Sequence, residues 1–374
     1  MPAPALRKRN KVDVLKNVFE SKIISRAELS KLTGLSLSTL SYVVRELEQE
    51  GLITIQQHVQ RRGRPTQLLR INPSSWTTIG IKVGREEVRG TLFDASMNAI
   101  RSSRVRVFSH LRDNEGYSNA IMKIIEDLKD RKLLGVGVCS SGIVNETTII
   151  VSHLMNVRNL DLQSLLQSNF GLKKFILMND VDALCYSLTK TNKKDYLVVT
   201  YGTGIGASYW GEGRTKHFEI GHAIVSEYGN CYCGQTGCLE YHASEYAVLR
   251  EYSQQQIDFE DFAKNEEEKY REQVEQIRLK AAQDFDSVRM CYSRPLRVLS
   301  TVVGNLLMIL KPSTVVFLGE GMVNREMVEL IKANILKTFN REFVNRTAFS
   351  IEKADWEHGV AMAVVQKYLS ELVR

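Results

Sequence analysis

The sequence predicts an α/β body of two lobes preceded by a small α+β module, and three observations carry that prediction. The 374 residues exceed what one compact core holds, so two or three domains are expected. Charge is segregated: residues 1–73 hold 13 Lys+Arg against 6 Asp+Glu, which accounts for the whole formal net charge of +7, while residues 74–374 carry 37 of each sign. From Trp76 onward the pattern changes from helices closed by a hairpin to strands alternating with helices. We therefore expect one domain over residues 1–73 and another over 74–374.

Hydrophobic residues at 43% and charged residues at 25% are the balance of an ordinary globular protein. No run approaches the roughly 18 apolar residues that suggest a membrane span. The basic stretch Met1–Lys11 is not followed by the apolar core of a secretory signal. The expectation is a cytoplasmic protein with no membrane span.

Within residues 1–73, Asn10–Glu20 reads as a helix with Val12, Leu15, Val18 and Phe19 on one face. Ser25-Arg26-Ala27-Glu28 is a capping box, in which hydroxyl and carboxylate satisfy each other's orphan amides, so a second helix starts there. Leu29 and Leu32 are expected on its buried face. Thr33-Gly34-Leu35 makes a tight turn before Ser36 caps a third helix, which is helix-turn-helix spacing. In that third helix Leu40, Val43, Val44 and Leu47 follow the i, i+3, i+4, i+7 pattern and face a small core. Ser38, Thr39, Ser41, Tyr42 and Arg45 then face outward, able to reach phosphates and base edges in a major groove.

Gly51 ends this helix, and the strand-like segments Leu52–Ile55 and Gln67–Ile71 enclose a wing over Gln56–Thr66. Its tip, Arg61-Arg62-Gly63-Arg64, places guanidinium groups around a glycine that lets the backbone approach closely, which suits a narrow minor groove. A basic arm alone could simply be solvated. Three helices, an arginine wing and the segregated charge together predict a winged helix-turn-helix that binds double-stranded DNA, releasing counterions from its phosphates.

The body begins with strands Thr78–Val83, Val88–Asp94 and Ser103–Val107, then helix Glu115–Lys129 and strand Leu133–Cys139. A similar rhythm restarts at Tyr196 with strands Leu197–Thr200 and Gly206–Trp210, followed later by strand Thr314–Leu318 and helix Arg325–Phe339. That repetition predicts two related lobes. Asp258–Asp286, rich in Glu, Lys and Gln, is expected to be an exposed helix with a solvated face. Leu296–Leu310, nearly continuous in apolar residues but too short for a span, is expected to be a buried helix.

Of the six cysteines, Cys139, Cys185 and Cys291 are scattered through apolar surroundings and read as core, whereas Cys231, Cys233 and Cys238 fall within eight residues. In a cytoplasmic chain such a cluster points to metal rather than disulfides. With His222 it offers three thiolates and one imidazole, a donor set for tetrahedral Zn2+. All four positions are filled by protein, so no place remains for an activated water and the metal's expected role is structural. The alternative left by the residues alone is three reduced cysteines in a turn.

At this point the chain resembles the ROK family (repressors, open reading frames and sugar kinases), and the resemblance covers essentially its whole length. Glu219-Ile220-Gly221-His222 followed by Cys-x-Cys-x4-Cys-Leu-Glu at 231–240 is similar to that family's zinc and sugar signature. Gly135–Asn145 is similar to its strand and sugar loop, and Met178-Asn179-Asp180-Val181-Asp182-Ala183 to its Asn-Asp motif. The resemblance implies a two-lobed, actin-like and sugar-kinase-like (ribonuclease H-like) fold, with the zinc loop at 222–240. It also implies that Gly142, Asn179, Asp180, Glu219, His222 and Glu240 surround the hydroxyls of a hexose-like ligand. Carboxylates and amides suit that task, since a site built from them penalises analogues that leave a buried polar group unpaired.

Whether such a body phosphorylates its sugar turns on how it would handle phosphate. Gly202-Thr203-Gly204-Ile205-Gly206 is similar to the family's second phosphate loop. At the first, where the kinases have Asp-x-Gly-x-Thr, this chain has Lys82-Val83-Gly84-Arg85-Glu86. A lysine cannot organise magnesium, and Glu86 brings negative charge where an anion should lie. Asp180, the implied general base, is then vestigial, since a base without a positioned phosphoryl donor has nothing to transfer. The expectation is a regulator without kinase activity, released from its DNA operator by a sugar or polyol effector and acting as a homodimer or homotetramer. The competing readings are an active ATP-dependent sugar kinase fused to a DNA-binding domain and a constitutive architectural DNA binder.

Overall fold

The computed structural model describes residues 4–58, 66–188, 195–265 and 269–373, which fall into two compact units. The first contains residues up to 151, 157–190 and 356–374; the second contains 152–156 and 191–355. No helix among the described residues is long and apolar enough to cross a membrane.

The first unit opens with helices Pro4–Ser21, Arg26–Thr33 and Leu37–Gln49. The capping box forms as expected: the Ser25 backbone N–H donates to Glu28 Oε2 at 2.9 Å, and the Glu28 N–H donates to Ser25 Oγ at 3.2 Å. Gly34 closes the second helix at φ 70°, a left-handed position that favours glycine. Ser36 caps the third by accepting from the Thr39 N–H. Strand Thr66–Ile71 lies between Ile53–His58 and the two-residue strand Ile24–Ser25, antiparallel to both.

Leu29, Leu40, Val43, Val44 and Leu47 are buried, whereas Leu32 is 61% exposed. The expectation for Leu32 is corrected by helix geometry. Three residues on from Leu29 it lies about 60° off the buried line, near the end of a helix of only 8 residues.

The core of this module does not stop at residue 73. Its buried side chains join Trp76, Phe93, Met97 and Leu134, together with Ala361, Met362, Val365 and Leu369 of the C-terminal segment, in one cluster.

Beyond it stands a five-stranded sheet in the order Phe175–Asn179, Leu133–Ser140, Thr77–Val83, Glu87–Asp94, Ala99–Arg106. The first three strands are parallel to one another; the last two continue antiparallel. Its two faces are covered by different helices. Gly90, opposite Ile81, lies under Ile124 and Leu128 of helix Asn114–Leu128. Gly80 and Gly137, paired with each other, point to the opposite face and lie under Glu357 and Val360 of helix Trp356–Tyr368. A Cβ on Gly80 would overlap the Glu357 carbonyl, so that glycine is what admits the helix backbone.

The second unit repeats this plan. Its sheet runs Arg214–Phe218, Ile205–Gly211, Tyr196–Tyr201, Thr314–Leu318, Ala348–Ile351, with the first three strands antiparallel and the last two parallel to Tyr196–Tyr201. In both sheets the strand order is third, second, first, fourth, fifth in chain order. The repeated rhythm in the sequence is therefore a repeated topology.

Helix Arg289–Leu310 buries Leu296, Leu299, Val303 and Leu307, starting seven residues before the apolar run that predicted it. The stretch expected as one exposed helix contains two, Phe259–Asn265 and Arg271–Gln283. Phe259, Phe262, Val274, Ile277 and Ala281 are buried, so the polar composition describes only their outer faces.

Candidate functional site

Three sets of residues singled out in the sequence stand on identifiable elements. On helix Leu37–Gln49, the four buried residues turn the opposite side outward: Ser38, Tyr42 and Arg45 are exposed, and Thr39 and Ser41 half-buried. Their hydroxyls are partly engaged, Ser38 and Thr39 with Ser36 Oγ, each at 2.9 Å, and Ser41 with the Leu37 carbonyl at 2.8 Å. Tyr42 carries the guanidinium of Arg7 over its ring at 5.2 Å, and Arg7 also donates to Glu46 at 3.1 Å. Arg7 thus extends the basic, aromatic surface of this helix. Its place could not be read from the sequence, where it is one of several cations in the first helix. Leu37, 57% exposed at the helix start, is a second residue that the helical pattern did not single out. Arg61, Arg62, Gly63 and Arg64 lie outside the described residues.

In the first unit, the ends of three parallel strands collect Lys82, Gly142, Asn179 and Asp180. Gly142 sits at φ 92°, where a side chain would be strained. Its carbonyl accepts from Asn179 Nδ2 at 3.1 Å, while Asn179 Oδ1 accepts the Val181 N–H at 2.8 Å, so Asn179 ties the loop to the start of helix Asp180–Leu188. Asp180 forms an ion pair with Lys82. Glu86 faces Arg112 at 3.5 Å.

In the second unit, His222, Cys231, Cys233 and Cys238 converge, with their ligand atoms all within 4.8 Å of one another. Cys231 Sγ stands 3.7 Å from His222 Nδ1, and Cys233 Sγ 3.7 Å from Cys238 Sγ. A tetrahedron with Zn–S bonds of ~2.3 Å has edges of about 3.8 Å, so the donor set and its spacing fit zinc. Gly237, at φ 81° and pressed against the Ser226 backbone, closes the loop that gathers the thiols. Burial pushes the Cys231 and Cys238 thiols up, a cost that a bound metal reverses by displacing their protons.

Glu240 follows on the next helix, Leu239–Ala243, and is buried. Its Oε1 accepts the Ile205 N–H at 2.8 Å and its Oε2 accepts the Tyr232 hydroxyl at 2.6 Å. Burial pushes the Glu240 carboxyl up, opposed by His222, the Tyr232 hydroxyl and the Ile205 amide. Tyr232, between two of the thiols, also packs edge-on against His222 with centroids 5.6 Å apart. The sequence marked its neighbours for their chemistry and passed it over. Glu219 reaches His217 at 3.1 Å and its side chain is 47% exposed.

Two family models match separate segments of the chain. The model of the ROK family matches residues 78–363, and that of a winged helix-turn-helix DNA-binding module matches residues 9–54. The xylose repressor of Bacillus spizizenii is 31% identical over 267 residues, covering 66% of this chain and 68% of its own. The DNA-binding transcriptional repressor Mlc of Escherichia coli is 25% identical over 248 residues, 60% of each chain. Among solved structures, a ROK family transcriptional regulator described as a homologue of E. coli Mlc superposes with a TM-score of 0.77 over 98% of both chains, at 20% identity. The chain belongs to the ROK family and carries a winged helix-turn-helix at its N-terminus.

Proposed function

We propose that this protein is a sugar-responsive DNA-binding transcriptional repressor, released from its operator by a monosaccharide or polyol, and that it does not transfer phosphate. The observation that carries this reading is the union of a basic winged helix-turn-helix with a kinase-like body whose Asp180 is ion-paired to Lys82. A carboxylate held by an internal ammonium is neutralised without magnesium, and it still accepts hydrogen bonds from hydroxyls.

Ser38, Thr39, Ser41, Tyr42 and Arg45 enter the major groove, while Arg61, Arg62 and Arg64, with Gly63 between them, reach the adjacent minor groove. Gly142, Asn179, Asp180, Glu219, His222 and Glu240 contribute to the effector site. His222, Cys231, Cys233 and Cys238 hold a structural zinc, which supplies a fixed tetrahedral node for the loop. The protein works in the cytoplasm as a homodimer or homotetramer on a palindromic operator, residues 1–73 reading DNA and 74–374 sensing the ligand. Sugar favours one arrangement of the paired modules, and the coupling is reciprocal: sugar weakens DNA binding by the factor by which DNA weakens sugar binding.

The test is a thermal-shift screen of monosaccharides, polyols and sugar phosphates on zinc-loaded protein. Each hit is repeated with ATP and magnesium while ADP is assayed, then added to the protein–operator complex. A sugar that raises the melting temperature and releases DNA without forming ADP is the expected result. Sugar-dependent ADP would make the protein a kinase fused to a DNA-binding domain.

A further inference from the structure

Thr77–Val83 is the central strand of its sheet, and every residue on it is buried. Six of the seven are apolar, glycine or threonine; the other is Lys82, 9% exposed. Two strand spacings, about 9–10 Å, separate this strand from Phe175–Asn179, which delivers Asp180. Only a long side chain closes that gap, and Lys82 does so across Cys139, its register partner on the intervening strand. Buried ion pairs are poor stabilisers, because desolvation offsets the attraction, so fold stability does not account for a lysine here.

The pair also leaves hydrogen-bonding capacity unused. An ammonium has three donors. Asp180 Oδ2 takes one, and the face of Trp356 lies 5.4 Å from Nζ on another side. Asp180 Oδ1 accepts from no donor among the described residues. A donor and an acceptor therefore stand side by side at the strand ends, where ligands of α/β sheets bind, next to Gly142 and Asn179. Another nearby cation, Arg89, lies 5.7 Å over the same Trp356 ring and pairs with Glu357 at 3.2 Å.

We propose that Lys82 is a ligand-contacting residue, and that Lys82 and Asp180 together read two neighbouring hydroxyls of an uncharged polyhydroxylated ligand. One hydroxyl donates to Asp180 Oδ1 and its neighbour accepts from Lys82 Nζ. Because the two charges cancel, neither a phosphate nor a divalent cation gains net attraction at this point. The ligand class is a neutral sugar or polyol rather than its phosphate ester at that end. The inference rests on the sugar-sensing reading above and adds a residue to it.

The test is calorimetric titration of the full-length, zinc-loaded protein with D-xylose, D-glucose and their monodeoxy analogues. Lys82→Met, nearly the same length without the charge, is expected to weaken the tightest of these sugars by about tenfold or more, the loss associated with a hydrogen bond to a charged group. One monodeoxy analogue should bind the wild type worse by a similar factor yet lose nothing further on Lys82→Met, because both changes remove the same contact. Additive losses, or an unchanged affinity in Lys82→Met, would overturn the proposal while leaving sugar sensing in place. A wild type that binds no monosaccharide or polyol would overturn both. Should Lys82→Met not fold, Lys82→Arg keeps the charge but moves its donors, and an unchanged affinity profile there counts equally against the contact.

Discussion

The two lobes share one strand order and differ in the groups gathered at their candidate sites. In the lobe built on Thr77–Val83 the protein supplies both signs: Lys82 meets Asp180, and Arg89 meets Glu357. In the lobe built on Tyr196–Tyr201, three thiols and an imidazole gather with no cation among them. Burial pushes the Cys231 and Cys238 thiols up, and a metal bound among them would displace their protons. One topology thus carries an ion-paired centre in one lobe and a thiol–imidazole cluster that could hold a metal in the other, because the chemistry sits in residues at strand ends and loops rather than in strand order.

Metal removal should separate the lobes most sharply. Chelation, or Cys238→Ser, is expected to abolish stoichiometric zinc and destabilise the second lobe by at least ~3 kcal/mol, modest beside the ~10–16 kcal/mol of free-standing zinc modules. At about 2–4 °C per kcal/mol this lowers the melting temperature by roughly 10 °C. Elemental analysis and a melting curve with and without chelator check it, and equal melting would mean the four residues are a turn and no metal site.

Gly80→Ala probes the other lobe. The added methyl meets the Glu357 carbonyl, and such overpacking costs about 1–3 kcal/mol. Zinc content should not change; a loss of metal in this variant would break the separation. Tyr232→Phe removes one hydrogen bond to the buried Glu240. The expected cost is about 1–2 kcal/mol, visible in denaturant melts with zinc still bound.

Ser25→Ala removes the helix cap and should cost about 1 kcal/mol. Because the winged module shares its core with the first lobe, the loss should appear in one transition, not in a separate unfolding of residues 1–73. The smallest effect on stability belongs to Arg45→Ala, within about 0.5 kcal/mol of wild type. Operator affinity measured by fluorescence anisotropy should nonetheless fall by about 1–3 kcal/mol if Arg45 reads a base, or lose about one unit of salt slope if it holds a phosphate.

Legibility followed the range of the interaction. The caps at Ser25 and Ser36 and the stripe Leu40, Val43, Val44, Leu47 could be read directly, since each depends on residues within a turn or two. The thiol cluster was legible by residue type, with three cysteines on one loop and His222 shortly before it. Helix Trp356–Tyr368 was not. It is buried nearly all round, with Val360, Ala361, Met362, Ala363, Val364 and Val365 all inside, so it shows no polar face to set a period. Leu32 misled for the opposite reason: the right residue type stands at the edge of a short helix.

What the sequence by itself determined is the set of local structures and chemical groups: three helices, two of them capped, with a basic excess, two runs of alternating strands and helices, and a cluster of three thiols and an imidazole. What only the tertiary structure decided is which distant groups meet. Lys82 and Asp180 are separated by 98 positions and joined because three parallel strands place their ends side by side. The module of residues 1–73 and the C-terminal helix, at opposite ends of the chain, complete one core. Local pattern depends on neighbours in sequence, whereas burial and ion pairing depend on neighbours in space, and the strand order that converts one into the other is a property of the whole chain.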